Sequence, residues 1–367
     1  MVDSNDVGDY SRLLRVDDDG VFMEVNRIGI GADGYLGDEL KALPIGTGYK
    51  GGMARKIYKN WLSEWDMVDP DSSCIENELD SDGDLDVLIH VPEKPNIRGQ
   101  RILKEEVIDH FSQKGLLLEY KDIEVTDNIG EYFGRRDITQ NEVLVFRESK
   151  DSYGLYVSHN AENDTVSGVS VPSLGILNAG YGQNFFVKHG MLVPSPKILQ
   201  RVLVRKYKGH AETIELPFGT LEHYQRYGLS PGTVFSFLKP NFLKGQDELE
   251  RVVDFLGYYG LLPEGSRKPS VIWGNAYESM KRHLEREKGK HISLEEPSSA
   301  DIDGWMDEQS LKHRKWCERR SAKISAGRLV TPEIDIPVRI PDDRTVYYQP
   351  KSSGFESFKR FTKQAAA

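Results

Sequence analysis

The stretch KGGMARKIYKNWLSEW at residues 50–65, followed by GDLDVLIHV at residues 83–91, decides which fold this chain can adopt. In the first segment apolar side chains recur at intervals of three and four, which predicts an amphipathic helix with two glycines at its beginning. The second segment holds a short β-branched run between Gly83 and Pro92, which predicts a buried strand. The acidic segment between them, residues 66–84, is expected to be a loop.

Asp84 and Asp86 are the candidate metal ligands of this segment. Side chains alternate along a strand, so both aspartates point to one face, while Leu85, Val87 and Ile89 point to the opposite, buried face. Metal-dependent nucleotidyl transfer needs hard oxygen ligands, because Mg²⁺ and Mn²⁺ prefer carboxylate and phosphate oxygens. The spacing therefore predicts a divalent metal held by the two aspartates.

Lys50, Gly51 and Gly52 stand where the predicted helix begins. Backbone N–H groups and the dipole at a helix N-terminus attract phosphate oxygens, and glycine lets the backbone approach them closely. These three residues are therefore predicted to bind the phosphates of a nucleotide. A second glycine motif, GIGADG at residues 29–34, leaves a dinucleotide-binding fold open as an alternative.

The acidic run DSDGDLD at residues 80–86 leaves two other interpretations open. It fits a turn of solvated acids before a strand, and it fits a calcium-binding loop of a structural protein. An EF-hand has its glycine at the sixth position and is followed by a helix. Here Gly83 is at the fourth position counted from Asp80, and a strand is predicted to follow.

A glycine turn, a helix and a DxD strand in this order resemble the signature of the nucleotidyltransferase superfamily. Within it, KGGMA and SDGDLDVLI are most similar to elements of AbiEii-type toxin nucleotidyltransferases. GMLVPSPKIL at residues 190–199 resembles the segment that opens the family's next helix. The resemblance covers residues from about 45 to 215 and implies a nucleotidyltransferase-like mixed sheet with flanking helices.

The order of predicted elements indicates an α+β protein with two domains. We place the first, nucleotidyltransferase-like domain at residues 1–215, where the sequence pattern changes at IELPFG. Beyond it the apolar periodicity is mostly helical, as in ELERVVDFLGYYGLL at residues 248–262. A helical C-terminal domain is therefore expected at residues 216–367.

The resemblance implies transfer of a nucleoside monophosphate from a nucleoside triphosphate to an RNA end or a hydroxyl acceptor. It implies Mg²⁺ or Mn²⁺ at the catalytic pair Asp84 and Asp86, with a third carboxylate supplied by Glu124 or Glu162. RNA such as tRNA and a cognate antitoxin protein are the partners that it implies. The alternative is a catalytically inactive, nucleotide-sensing or partner-binding protein on the same fold.

The helix predicted from Pro196 supplies two arginines toward the nucleotide site. The family usually has a lysine there, and this helix offers Arg201, Arg205 and Lys206 instead, so the register of the helix decides which of them reaches a phosphate. Arg201 and Arg205 are the two predicted to bind the nucleotide.

A basic stretch, LKHRKWCERRSAKISAGR at residues 311–328, is the candidate acceptor-binding surface. At helical spacing Lys312, Lys315 and Arg319 share a face, where they are positioned to follow a phosphate backbone with Trp316 stacked alongside. The simpler interpretation is the solvated face of a helix.

Composition limits the other possibilities. The formal net charge of −10 excludes a surface that is basic throughout, so nucleic acid would need local basic patches. Cys74 and Cys317 lie far apart without CxxC spacing, which supports neither a disulfide framework nor a cysteine-rich zinc site. Because no apolar run approaches the roughly 20 residues that cross a bilayer and no export signal is visible, we expect no membrane partner and a cytoplasmic location.

Overall fold

The computed structural model describes most of the first 262 residues and one later strand. The described ranges are 15–16, 21–32, 36–68, 73–79, 85–116, 118–173, 185–188, 191–229, 233–234, 237, 246–262 and 345–348.

Within these ranges the chain forms both helices and strands. The helices are α1 (Gly37–Ala42), α2 (Gly51–Glu64), α3 (Ser73–Leu79), α4 (Ile97–Gln113), α5 (Ile129–Gly134), α6 (His159–Val166), α7 (Pro196–Tyr207), α8 (Thr220–Tyr227) and α9 (Gln246–Tyr258). The strands are β1 (Arg15–Val16), β2 (Val21–Ile30), β3 (Thr47–Lys50), β4 (Asp86–His90), β5 (Ile123–Thr126), β6 (Val143–Arg147), β7 (Tyr153–Ser158), β8 (Val169–Ser170), β9 (Phe185–Lys188), β10 (Met191–Pro194), β11 (Thr213–Ile214) and β12 (Thr345–Tyr348).

The centre of the molecule is a mixed sheet of six strands in the order β2-β7-β6-β3-β4-β5. Neighbouring strands are antiparallel except β4 and β5, which run parallel. At its outer edge β2 also pairs with β1 and β12. This mixed sheet with flanking helices confirms the predicted α+β class.

Helix α2 and strand β4 lie where the sequence predicts a helix and a buried strand. Val87 and Ile89 belong to a core cluster with apolar residues of α2 and α4, and Leu85 packs against it, so the predicted alternation is confirmed. The opposite face is covered too, since Leu88 is buried in a second cluster with Phe133 of α5. The sheet is therefore closed on both sides, and only the ends of its strands can present a site.

The prediction of an uninterrupted loop at residues 66–84 is wrong, because helix α3 lies within it. Cys74 and Ile75 are buried, and the ammonium of Lys59 donates a hydrogen bond of 2.9 Å to the carbonyl oxygen of Cys74. Cys74 and Ile75 are the buried side chains among those described in this seven-residue helix, which is too short and too acidic to show a clear apolar period. Tertiary contacts with α2 replace the missing local signal.

The alternative of a dinucleotide-binding fold is also wrong. A dinucleotide-binding glycine turn joins two parallel strands through a helix. Strand β2, which carries Gly29, is antiparallel to each of its partners β1, β7 and β12 in the described part of the chain. The glycines of GIGADG therefore do not open such a unit.

Helix α7 begins at Pro196, as predicted, and takes part in another core cluster. Leu199 and Leu203 pack there with Tyr224 of α8 and Leu256 of α9, so the cluster contains residues on both sides of position 215. Helix α9 confirms the helical prediction for residues 248–258, and the division at 215 stays a prediction. None of the helices that the structure describes is long and apolar enough to cross a membrane.

Candidate nucleotide and metal site

Strand pairing brings three charged side chains to one end of the sheet. Lys50 ends β3 and is the direct partner of Asp86, the first residue of β4. Glu124 lies on β5 opposite Leu88, two residues beyond Asp86. Because paired residues share a face and side chains alternate along a strand, Lys50, Asp86 and Glu124 lie on the same face.

The ammonium of Lys50 lies between the two carboxylates. Its Nζ is 3.7 Å from Oδ1 of Asp86 and 3.8 Å from Oε2 of Glu124. Glu124 also accepts a hydrogen bond of 3.3 Å from Nη2 of Arg136. Burial alone would raise the pKa of Glu124, but Arg136 and Lys50 hold this pKa below its usual value. The carboxyl group is therefore ionised and available as an oxygen ligand at neutral pH.

Gly51 is the first residue of α2 and directly follows the last residue of β3. Its φ of 62° lies in the left-handed region that favours glycine. A Cβ at this position would stand 2.6 Å from Oδ2 of Asp86. The beginning of α2 thus touches the candidate metal ligand, which explains why a glycine stands there.

A cavity of about 700 Å³ opens at this end of the sheet. Gly51 and Gly52 line it, as do three carboxylates and nine cations. The carboxylates are Asp86, Glu124 and Asp137. Besides Lys50, Arg136 and Arg201, the cations are Arg55, Lys94, Lys104, Lys121, Arg135 and Lys197. In a chain with a formal net charge of −10, so positive a cavity suits a polyanion.

Asp137 connects two walls of the cavity. Its Oδ2 lies 3.4 Å from Nε of Arg201 on α7, and its Oδ1 accepts a hydrogen bond from Asn141. Asn141 in turn accepts a hydrogen bond from Arg55 on α2. Although burial opposes ionisation, Arg201 and Asn141 keep the pKa of Asp137 below its usual value. This chain of contacts sets the positions of both arginines.

The structure brings most of the predicted nucleotide site together. Asp86, Glu124 and Arg201 line one cavity with the predicted phosphate-binding residues Lys50, Gly51 and Gly52.

Two other predicted residues lie elsewhere. Arg205 is buried, and its Nε donates a hydrogen bond of 3.0 Å to Gln140. Glu162 lies on α6, where it accepts a hydrogen bond of 3.1 Å from Asn26. Of the two candidates for the third carboxylate, Glu124 is the one beside Asp86.

Some predictions fall on residues that the structure does not describe. Asp84 is one of them, and so are Lys312, Lys315, Trp316 and Arg319 of the predicted acceptor surface. Their roles stay predictions.

Sequence reasoning missed the cationic walls of the cavity. Arg135, Arg136 and Asp137 follow α5 directly, in the word GRRD at residues 134–137. A dense group of charges just after an apolar helix was a usable signal, since such groups seldom face a core. Lys94 and Lys104 gave no comparable signal, because isolated lysines are ordinary surface residues.

The donors at the end of the sheet fit a magnesium or manganese ion. Asp86 and Glu124 offer carboxylate oxygens from adjacent strands, and both already share one cation, the ammonium of Lys50. Hard divalent cations prefer such oxygens. No group of three or more His, Cys, Asp or Glu side chains that could hold a metal occurs within the described residues, of which Asp84 is not one.

Comparison with known proteins adds no relative to this picture. The chain matches no model of a protein family, no curated protein and no solved structure.

Proposed function

We propose that this protein is a metal-dependent nucleotidyltransferase, which transfers a nucleoside monophosphate from a nucleoside triphosphate to an RNA end or another hydroxyl. One observation carries the proposal. The glycine-led N-terminus of α2 and the carboxylates of Asp86 and Glu124 meet in a single cavity whose other charged groups are mostly cations. A glycine turn, helix α2 and then strand β4 follow one another, with α3 between the last two, and a glycine turn, a helix and a strand in this order are what the resemblance to nucleotidyltransferases implies.

The triphosphate would lie along the beginning of α2. Backbone N–H groups of Gly51 and Gly52 offer donors to phosphate oxygens, and the helix dipole adds partial positive charge. Lys197 and Arg201, near the beginning of α7, add positively charged side chains to the same cavity. Asp137 and Asn141 hold Arg201 and Arg55 in place, which lowers the entropy lost when they bind phosphate.

Asp86 and Glu124, with Asp84, would hold the metal. When bound, magnesium neutralises charge on the reacting phosphate oxygens and lowers the pKa of the attacking hydroxyl. The contact between Asp86 and the first residue of α2 keeps this carboxylate next to the phosphates. Arg136 keeps Glu124 ionised and oriented.

The acceptor is proposed to be RNA, such as tRNA, bound with the help of Lys312, Lys315, Trp316 and Arg319. A cognate antitoxin protein is a further proposed partner, on the resemblance alone.

The direct test is transfer of label from nucleotide to acceptor. The purified full chain is incubated with each α-labelled triphosphate, Mg²⁺ or Mn²⁺, and total RNA. We expect label on RNA with the parent, and a loss of about a hundredfold or more with Asp86→Asn, because one metal ligand is gone. Asp109→Asn, on the exposed surface of α4, removes the same charge outside the cavity and should retain full activity.

Triphosphate binding and transfer, measured on the same purified protein, distinguish the transferase from the inactive nucleotide-sensing alternative. Triphosphate binding that depends on Lys50 and Arg201, with no transfer to RNA, protein or small hydroxyls, would support the inactive nucleotide-sensing protein. No triphosphate binding at all, in a folded protein, would contradict both functions.

A further inference from the structure

The ammonium of Lys50 lies between the carboxylates of the two candidate metal ligands, Asp86 and Glu124. Its Nζ lies within 4 Å of one oxygen of Asp86 and one of Glu124. The Lys50 side chain is only 13% exposed, so water screens these three charges weakly. A divalent cation that bridges Oδ1 of Asp86 and Oε2 of Glu124 would occupy the place where this ammonium now lies.

The backbone, and not a chance rotamer, places Lys50 there. It is the strand partner of Asp86, and its own backbone is extended directly before α2. Gly51 fixes the sharp change of direction that follows. The stem of Lys50 is therefore held by strand pairing, whereas the ammonium at the end of a flexible four-carbon chain can move.

We propose that Lys50 is an internal competitor of the metal, whose ammonium must leave Asp86 and Glu124 before a divalent cation can bind to both. The inference rests on the proposed function only in taking these two carboxylates as the metal ligands. The displaced ammonium stays inside the cavity, where phosphate oxygens are its next partner. Metal binding thus prepares a phosphate ligand.

Arg136 is not a competitor of this kind. Its Nη2 donates to the same oxygen of Glu124, Oε2, which has two lone pairs and can accept this hydrogen bond and also bind a cation. The guanidinium also packs over the ring of Tyr132 at 4.1 Å and donates a second hydrogen bond to the carbonyl oxygen of Tyr132. These contacts tie it to α5. Arg136 therefore keeps Glu124 in position while the Lys50 ammonium is exchanged for the metal.

Titration of Mn²⁺ into the full chain, without nucleotide, tests the competition. Lys50→Met removes the ammonium and keeps an unbranched stem, and free Mn²⁺ is followed by electron paramagnetic resonance. We expect the dissociation constant for Mn²⁺ to fall about tenfold, because no internal cation has to be displaced.

Lys104→Met is the matched control. Lys104 lines the same cavity, where burial and the charge of Lys50 lower the pKa of its ammonium. Its Nζ contacts Tyr120, 4.4 Å from the ring centre, and donates a hydrogen bond to the Tyr120 carbonyl. This variant removes the same charge but not the contact with the carboxylates, so we expect Mn²⁺ binding to tighten by less than about threefold.

The outcomes separate cleanly. A tenfold gain that disappears when Asp86→Asn is added to Lys50→Met supports the competition. A gain no larger than that of Lys104→Met, or no Mn²⁺ binding by any variant, overturns it. Melting temperatures with and without Mn²⁺ show that each variant is folded, and Lys50→Gln replaces Lys50→Met if the latter is not.

The test is independent of transfer activity. A protein that tightens its hold on Mn²⁺ as expected but transfers no nucleotide would contradict the proposed function and keep the competition. Transfer that depends on Asp86, with equal Mn²⁺ affinity of parent and Lys50→Met, would contradict the competition alone.

Discussion

Gly51 combines two constraints that can be separated by comparison with another glycine. Its positive φ disfavours any side chain, and a Cβ would also collide with Oδ2 of Asp86. Gly115, just beyond α4, has a similar φ of 74°, yet nothing lies within 4 Å of its Cβ position. The two positions therefore carry a similar backbone cost but differ in the clash.

We expect Gly115→Ala to lower the free energy of unfolding by about 1 kcal/mol, the cost of a left-handed alanine. Gly51→Ala should lower it by more and should also weaken Mn²⁺ binding, because Asp86 has to move. Urea unfolding and Mn²⁺ titration measure the two effects. Equal losses of stability, with unchanged metal affinity, would show that Asp86 yields without consequence.

Glu142 is a buried carboxyl group that should make the stability of the protein depend on pH. It is fully buried directly before β6, where it accepts hydrogen bonds from the hydroxyls of Ser158 and Ser173. Burial raises its pKa to about 8, although the two serines oppose the shift. An unfolded glutamate has a pKa near 4.3.

Stability should therefore fall as the pH rises from about 4.3 to about 8, since over this window the unfolded chain loses a proton that the folded chain keeps. Below this window the contribution of Glu142 is fully present. Glu142→Gln should remove most of this slope in melting temperature against pH. Glu148→Gln is the control, because Arg27 holds the pKa of Glu148 below its usual value against the effect of burial, and its slope lies at lower pH. A slope that survives in Glu142→Gln would assign it to other groups.

At the scale of elements, periodicity predicted what is local. Helices α2 and α7 and strand β4 were predicted from the sequence because their apolar residues recur at the period of the element. The sequence did not predict that Asp86 and Glu124 lie side by side, because the order and register of strands in a sheet depend on contacts between residues distant in sequence. Asp86 and Glu124 were both candidates from the sequence, but only the fold shows that Glu124, and not Glu162, lies beside Asp86.

Helix α7 shows the same limit within one element. Arg201 and Arg205 are one turn apart on the same side, so spacing cannot distinguish them. The Arg201 side chain is 60% exposed at the cavity, whereas Arg205 is buried with Gln140 and His210 at the C-terminal end. The surrounding elements, and not the helical spacing, therefore decide that Arg201 lines the cavity and that Arg205 is buried.

We expect Arg201→Met to weaken binding of a non-hydrolysable triphosphate by about tenfold, the loss of one charged contact, with little change in melting temperature. Arg205→Met should instead lower the stability and leave triphosphate binding unchanged. It leaves the buried side chain of Gln140 without its donor, which costs about 2 kcal/mol of unfolding free energy, while the folded variant keeps its affinity. Calorimetry and urea unfolding check both. If Arg205→Met instead lost affinity without losing stability, Arg205 would belong to the nucleotide site.

At the scale of the whole molecule, charge is strongly segregated. The chain carries ten more acidic than basic side chains, yet nine lysines and arginines surround three carboxylates in one cavity. At long range a negatively charged protein repels a triphosphate. The positive charges of the cavity must therefore outweigh this repulsion at short range if a triphosphate is to bind. Salt screens such fields over about 10 Å at 0.1 M ionic strength.

Triphosphate binding should therefore weaken as salt increases, and the slope should depend on where a positive charge is removed. Lys94→Gln with Lys197→Gln removes two charges from the cavity, and Lys41→Gln with Lys150→Gln removes two from the exposed surface, with the same change in net charge. We expect the cavity pair to weaken binding about tenfold at 50 mM salt and to flatten the salt dependence, because fewer fixed charges attract the phosphates. The surface pair should follow the parent within about twofold across the series. Calorimetric titrations from 50 to 500 mM salt measure both slopes, and equal curves for the two double variants would show that net charge, rather than the cavity, governs the attraction.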